Sequence, residues 1–417
     1  MANDREIPEQ EHEERVARQG FSQIGVFDHV PVLGYREYWY PALLAKTLGA
    51  KPVSLKLLGE ELVFFRGRHR EIVAFWDRCP HRGARLSAGK CEFPGTLSCP
   101  YHGYTFDEAG TCVAALSEGP DSGLTGKLKA RTFPTTQVRG VVFVWMGETA
   151  PVPIEEDVPE ECFDPAWAVN TYIATWPVSW ALAQETGADP HEPVLHRVRL
   201  RRFFMFGFLS NFRQLPAYSK GMRVVEEGEK HIGIATVGLG PQQAYYPLLG
   251  KTWPRRVWWR FLPAKQAGVS THTGKPYNHS YRLPSIARID MYDRVHMRWG
   301  VPIDKETTRM FTFGLYRAPG RWRGFWARLH FHTLNRYQLI KGVNELEDVP
   351  VLEQVDPHAP QKLGANDGAL IFWRRRMPWK SRDAQRLWKK EGRDAGTERD
   401  SRRRAGEPAT SPEQSRA

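Results

Sequence analysis

The sequence predicts an α+β protein in two parts, a small antiparallel β domain followed by a larger domain of strands closed by a long helix. Three observations predict it. The chain has 417 residues, 41% of them hydrophobic and 12% aromatic, which is more than one typical domain and enough apolar side chain for a large interior. Between residues 38 and 148 short β-type runs alternate with turns. Further on, two strand-like runs lead into a helical pattern from Gly324 to Val355.

Each element follows in chain order. Residues 1–37 form a polar leader, expected to pack on the catalytic domain; its start, "MANDREIPEQEHEERVARQG", has no apolar core, so neither a secretory signal nor a membrane anchor is expected. The runs "VSLKLL", "LVFFRG", "EIVAFWD" and "VVFVWMG" define the first domain, residues 38–148, with a turn at Gly59-Glu60 between the first two. The stretch "ETAPVPIEEDVPEECFDP" reads as an inter-domain crossing because it is rich in Pro and acid. The second domain, residues 149–376, opens with a helix in "WPVSWALAQETGADP" that ends at Asp189-Pro190. Its strands include "HMRWGVPID" and "TRMFTFGLYR", and "GALIFWRRRM" reads as a last helix.

The net charge of +12 raises the question of a nucleic-acid partner. From Arg374 to the end, 14 Lys and Arg stand against 7 Asp and Glu, so more than half the excess sits there. Residues 377–417 are therefore expected to be a solvated, disordered basic tail, and no nucleic-acid partner is expected. No apolar run reaches the length of a membrane span. Five cysteines do not suit a disulfide framework, and a cytoplasmic location is expected.

The chemistry begins in "WDRCPHRGARLSAGKCEFPGTLSCPYHGYTF". It contains Cys79-x-His81 and Cys99-x-x-His102, two matched donor pairs. Two thiolates and two imidazoles could hold one tetrahedral zinc. The Pro and Gly repeated in "CPHRG" and "CPYHG" are unusual for a zinc finger. The pattern instead resembles the Rieske iron–sulfur proteins. The resemblance implies a [2Fe-2S] cluster with one iron on Cys79 and Cys99 and the other on His81 and His102. Neutral imidazoles raise its potential above that of an all-cysteine cluster. Cys91, Cys112 and Cys162 fall outside the pattern and are expected to be buried spare thiols.

A second constellation lies in "QETGADPHEPVLHR", residues 184–197. A mononuclear Fe(II) that activates O2 takes two neutral nitrogens and one carboxylate on one face, and His191 and His196 are the candidate nitrogens. Together the two patterns resemble the α (terminal oxygenase) subunits of Rieske-type non-haem iron ring-hydroxylating oxygenases, over residues 38 to 376. The resemblance implies a helix-grip catalytic domain, an antiparallel sheet under a long helix. It also implies an aspartate ligand near that domain's end, which falls on Asp348 in "NELEDVPVLEQ", with Glu345 and Glu347 as rivals. Asp189 is implied to bridge to a cluster histidine, His102, of a neighbouring subunit, and hence a head-to-tail homotrimer.

The match departs from the family in one place. Most relatives put two residues between the Asp and the first His, whereas Pro190 alone separates Asp189 from His191. The order resembles the Glu-Asn-Gly-x-Asp-Pro-x-His of carbazole dioxygenase and its kin, before a closer second histidine, with Glu185, Gly187, Asp189, Pro190 and His196 in place. Thr186 then replaces the Asn, and Glu192 replaces the His. The first iron ligand is therefore His191 or Glu192.

No G-x-G-x-x-G follows a strand, so electrons from NADH or NADPH need a partner reductase, with or without a ferredoxin. The expected activity is oxygen insertion into a hydrophobic or aromatic substrate, by monooxygenation or dihydroxylation. The alternative is an electron carrier with a non-catalytic second domain. The stretches "YYPLLGKTWPRRVWWRFL" and "YRAPGRWRGFWARLHFHTLNRY" interleave aromatics with Arg. They read either as arginines snorkelling over core aromatics or as a peripheral membrane patch that collects a lipophilic substrate such as a sterol.

Overall fold

The computed structural model describes residues 26–27, 30–187, 195, 221–227, 231–237, 279–290, 294–357, 359–363, 367–384 and 386. The first domain contains ten strands: β1 (Trp39–Leu44), β2 (Val53–Leu57), β3 (Glu60–Arg66), β4 (Ile72–Trp76), β5 (Leu97–Ser98), β6 (Tyr104–Phe106), β7 (Cys112–Ala115), β8 (Thr132–Phe133), β9 (Thr135–Val138) and β10 (Val141–Trp145). They form three small sheets, ordered β1-β10-β9, β2-β3-β4-β8 and β5-β6-β7. The four runs read from the sequence are β2, β3, β4 and β10. The first hairpin turns at Leu58-Gly59, both at positive φ, and β3 already begins at Glu60. That is the geometry of a tight two-residue turn, which matches the twist of the strands it joins.

The second domain is built on one sheet. Its strands are β11 (Trp167–Trp176), β12 (Gly221–Glu227), β13 (His231–Val237), β14 (His279–Arg282), β15 (Ile286–Asp290), β16 (Val295–Pro302) and β17 (Thr308–Arg317). Their order is β11-β17-β16-β15-β14-β13-β12, every pair antiparallel. Helix α1 (Trp180–Glu185) follows β11 and is buried along its whole length. After β17 one unbroken helical run crosses the sheet. It is α-helical as α2 (Arg321–His330), π-wound over Phe331–Asp348, and α-helical again as α3 (Val349–Leu352). Its buried positions include Phe331, Asn335, Leu339, Asn344 and Asp348, spaced four to five residues apart as i→i+5 winding requires. Helix α4 (Gly368–Lys380) ends the domain.

β16 explains how the helix sits. Val295, Met297, Trp299 and Val301 point to the main core, while His296 and Arg298 alternate to the other face. His296 lies opposite Gly314 of β17. A Cβ on Gly314 would stand 2.4 Å from the ring of Phe331, so a bare backbone here lets the helix lie against the sheet.

The main core runs through both domains, from Val26 to Met377, with Phe143 of β10 and Trp299 of β16 at 5.6 Å between ring centroids. The leader's described end packs on the catalytic domain: Trp180 Nε1 donates to Pro31 O at 3.0 Å. The Pro-rich crossing is packed as well. Asp157 is fully buried, accepting from Trp39 N at 3.0 Å and from Arg382 Nη2 at 2.8 Å. Arg382 belongs to the stretch assigned from sequence to the basic tail. Met377 is fully buried there, and Asp383 accepts from the backbone N–H of Arg36 and Glu37. The packed chain therefore continues past residue 376, and residues 387–417 lie outside the described residues.

Candidate functional site

The two donor pairs sit on loops closed in the same way. Cys79 N donates to Ala84 O at 2.8 Å and Gly83 N returns to Cys79 O at 2.8 Å. In the second loop Cys99 N donates to Tyr104 O at 2.8 Å and Gly103 N to Cys99 O at 3.1 Å. Gly83 and Gly103 lie at φ 74° and 68°, the left-handed turn that an L side chain resists. Each loop thus runs from Cys to Gly over the same length, with the histidine third in one and fourth in the other. That one-residue offset is the difference between "CPHRG" and "CPYHG".

The loops bring all four donors together. Cys79 and Cys99 are buried and hydrogen-bonded thiol to thiol; the bond donated by Cys79 lowers Cys99 to about 6, and the same bond raises Cys79. The thiolate is the metal-binding form. The rings of His81 and His102 are 4.8 Å apart at 72°. His81 Nδ1 is buried and has no hydrogen-bond partner among the described residues. Tyr104 closes the floor, its ring 4.7 Å from His81 and its hydroxyl donating to Glu118. Tyr101 stacks on His102 at 3.8 Å and is 58% exposed, so the histidine side faces the domain surface.

These residues fit an iron–sulfur cluster of the Rieske kind. A single zinc needs four donors around one point. Among the described residues no three His, Cys, Asp or Glu side chains are grouped to hold one ion. Two thiols on one side and two imidazoles on the other, with an orphaned ring nitrogen, suit two metals that each take one pair. Cys112 and Cys162 are buried free thiols as expected, while Cys91 is free but only half-buried; burial raises all three, Cys162 to about 12.

The second constellation is only partly within view. Asp189, His191, Glu192 and His196 lie outside the described residues. Asp348 is described and is 3% exposed, at the end of the π-wound segment. Its Oδ2 is 4.0 Å from Arg298 Nη1. Of its rivals, Glu345 and Glu347 are only half-buried. Arg298 also reaches Gly187, two residues before Asp189: a Cβ there would lie 3.1 Å from Arg298 Nη2 and 2.3 Å from Tyr281 Oη. The chain entering the histidine segment therefore passes beside the guanidinium that faces Asp348.

Three features here were not read from the sequence. Glu185 is held by Arg374 in a buried two-pronged pair, Nε to Oε1 at 2.6 Å and Nη2 to Oε2 at 2.7 Å, which occupies both carboxylate oxygens. Arg298 and His296 share the helix-facing side of β16. Burial first, then Arg298 and Arg294, hold His296 down at about 3, and Asp348 opposes them. The signal for the last two was the alternation of polar with apolar residues in "VHMRWGVP".

Comparison with known proteins agrees with this geometry. Residues 38–134 match the Rieske [2Fe-2S] domain family. The chain is 34% identical over 369 residues to the terminal oxygenase component of carbazole 1,9a-dioxygenase from Sphingomonas sp., covering 82% of this chain and 90% of that one. Among solved structures, the terminal oxygenase of carbazole 1,9a-dioxygenase from Novosphingobium sp. KA1 superposes with a TM-score of 0.65 at 24% identity, covering 89% of this chain and 98% of that chain. A reduced complex between oxygenase and ferredoxin in carbazole 1,9a-dioxygenase superposes at 0.66 with 21% identity, covering 92% and 96%. The class defined by fold and site is a Rieske domain joined to a sheet gripped by a long helix. The chain belongs to the Rieske non-haem iron oxygenases, as a terminal oxygenase component. The cofactors of that family are a Rieske cluster and a mononuclear iron.

Proposed function

We propose that this oxygenase receives electrons from a ferredoxin, itself reduced by an NAD(P)H-dependent reductase, and oxygenates a hydrophobic aromatic substrate. Cys79, Cys99, His81 and His102 hold the cluster, and His191, His196 and Asp348 hold the mononuclear iron. The observation that carries the reading is Asp348, a buried carboxylate at the end of the long helix, 4.0 Å from the Arg298 guanidinium that also lies against Gly187. When bound, the iron supplies O2 activation. Two electrons and two protons are consumed per O2, and one or both oxygens enter the substrate.

The chain's own residues prepare that chemistry. Arg298 offsets the charge of Asp348 in a buried layer, where an uncompensated carboxylate is costly. Arg374 fixes Glu185 and with it the helix end from which the histidine segment departs. His102, on the exposed side of the cluster loops, is assigned the electron exit toward Asp189 of a neighbouring subunit, in a homotrimer. The carbazole-oxygenating relatives favour an aromatic substrate, and turnover under 18O2 tests the reading. Label in the product supports it, one atom for monooxygenation and two for dihydroxylation. Reoxidation of the cluster with no label in any product overturns it.

One observation favours a peripheral membrane contact as an addition. On α2, Trp322 is 72% exposed and stacks with Phe325 at 6.0 Å, beside Trp326, while Arg321, Arg323 and Arg328 supply charge and no acid interrupts them. Aromatics with arginines on one short helix suit an anionic lipid surface. No described helix is long and apolar enough to cross a membrane. Co-sedimentation with anionic vesicles, lost in W322A/W326A, checks this reading.

A further inference from the structure

A cleft of about 530 Å³ opens where the two domains meet, and neither the cluster nor the iron assignment uses it. One wall is α2, which lines it with Arg321, Gly324, Phe325 and Arg328, the i, i+3, i+4, i+7 spacing of a single helix face. The other wall is the start of β11, the edge strand of the large sheet, from Trp167 to Asn170. Arg139, in the turn between β9 and β10 of the first domain, completes the rim. Asp348 stands twenty residues beyond Arg328 on the same helical run, toward its other end.

Charge in the cleft is of one sign. Three arginines line it and no Asp or Glu does. Arg321 and Arg328 are exposed and form no ion pair with any described residue. Arg139 is steadied by backbone carbonyls, Nε donating to Cys162 O at 2.8 Å and Nη2 to Asp164 O at 2.6 Å, which fixes the guanidinium without cancelling its charge. The carboxylate of Asp164, three residues before Trp167, accepts instead from Ala166 N at 2.8 Å. On the β11 wall Asn170 is 6% exposed, and its Nδ2 has no hydrogen-bond partner among the described residues. Folded proteins keep few buried amides unmatched. Gly324 is an independent sign. Glycine is disfavoured inside a helix, and a Cβ here would meet nothing within 4 Å, so packing within the described chain does not require the small residue. A bare backbone at this point keeps the cleft open.

These groups match one kind of ligand. A guanidinium pairs with a carboxylate through two parallel N–H donors. Trp167 and Phe325, one from each wall, add flat apolar surface beside the arginines, and a guanidinium itself stacks on rings. We propose that this cleft is a second binding site that takes an aromatic carboxylate, with the ring between Trp167 and Phe325 and the carboxylate on Arg321 and Arg328. The site is separate from the iron chemistry and does not depend on the ligands assigned to it. Trp322 and Trp326, which carry the membrane reading, do not line it.

The test is equilibrium dialysis of 2-naphthoate against the full chain holding its cluster, with 2-naphthalenemethanol as the uncharged counterpart and sulfate as the bare anion. The wild type is expected to hold 2-naphthoate at least about tenfold more tightly than either, the worth of a hydrogen-bonded charge pair. R321Q/R328Q should weaken 2-naphthoate about tenfold or more and leave the alcohol within about twofold. Gly324→Leu, which keeps every charge and fills the open space, should weaken both aromatic probes about tenfold, while Gly324→Ala stays within about threefold of the wild type. Equal binding of 2-naphthoate by the wild type and R321Q/R328Q overturns the proposal, as does a wild type that binds the acid no better than the alcohol or sulfate, or binds none. Loss in the arginine variant with full binding in Gly324→Leu would mean a diffuse surface attraction and overturn the cleft assignment. Binding that survives both variants and falls in Asp348→Ala would place the ligand at the iron site and overturn it as well.

Discussion

The cluster loops and the iron site solve the same problem, holding a metal with His and acidic or thiol donors, in opposite ways. All four cluster donors lie between residues 79 and 102, on two loops closed by the same backbone bonds. The iron donors are assigned to a segment after α1 and to the far end of the long helix, more than 150 residues apart in the chain. Arg298 of β16, beside both Gly187 and Asp348, is the visible part of that junction. A local site survives most changes elsewhere in the chain. A site assembled from distant elements depends on every contact that sets their spacing.

The predictions test that contrast. The largest effect is expected from Cys99→Ala, which removes a cluster donor outright. Visible absorption of the cluster should fall to background while the far-ultraviolet spectrum keeps its β character. Next comes Arg374→Leu, which strips both guanidinium bonds from the buried Glu185 carboxylate and should cost about 3–5 kcal/mol. Thermal unfolding checks it, and iron outside the cluster should fall first. Gly187→Ala forces a methyl against Tyr281 Oη and should cost about 1–3 kcal/mol. Metal analysis should find mononuclear iron reduced and the cluster spectrum intact. Gly103→Ala, with a left-handed φ and Leu116 Cβ 2.7 Å away, should cost about 1–2 kcal/mol and affect the cluster alone.

Much of the first region was legible because its information is local. Spaced Cys and His with Gly and Pro mark the loops, and β-type runs mark β2, β3, β4 and β10. In the second domain "TRMFTFGLYR" is β17 residue for residue. The helical pattern from Gly324 also held, yet its π winding did not show, since a 3.6-residue reading places buried positions differently from i→i+5 bonding. The burial of Asp157 and the pairing of Glu185 with Arg374 were hidden for a related reason. A charged residue normally signals solvent, and only the fold supplies a partner 189 residues away. Arg382 and Asp383 read as tail for the same cause, with Lys380 and Arg386 beside them and the basic stretch from Lys389 onward.

We propose a second iron site in this chain, with Asp348 as one of its ligands. Iron counted per chain in the wild type and in Asp348→Ala, with cluster absorbance as the internal standard, tests it most directly. About three irons are expected in the wild type and two in the variant, at equal cluster absorbance. Parallel counts for His191→Ala and Glu192→Ala assign the first histidine position. Two irons in the wild type, or three retained in Asp348→Ala, would contradict the claim.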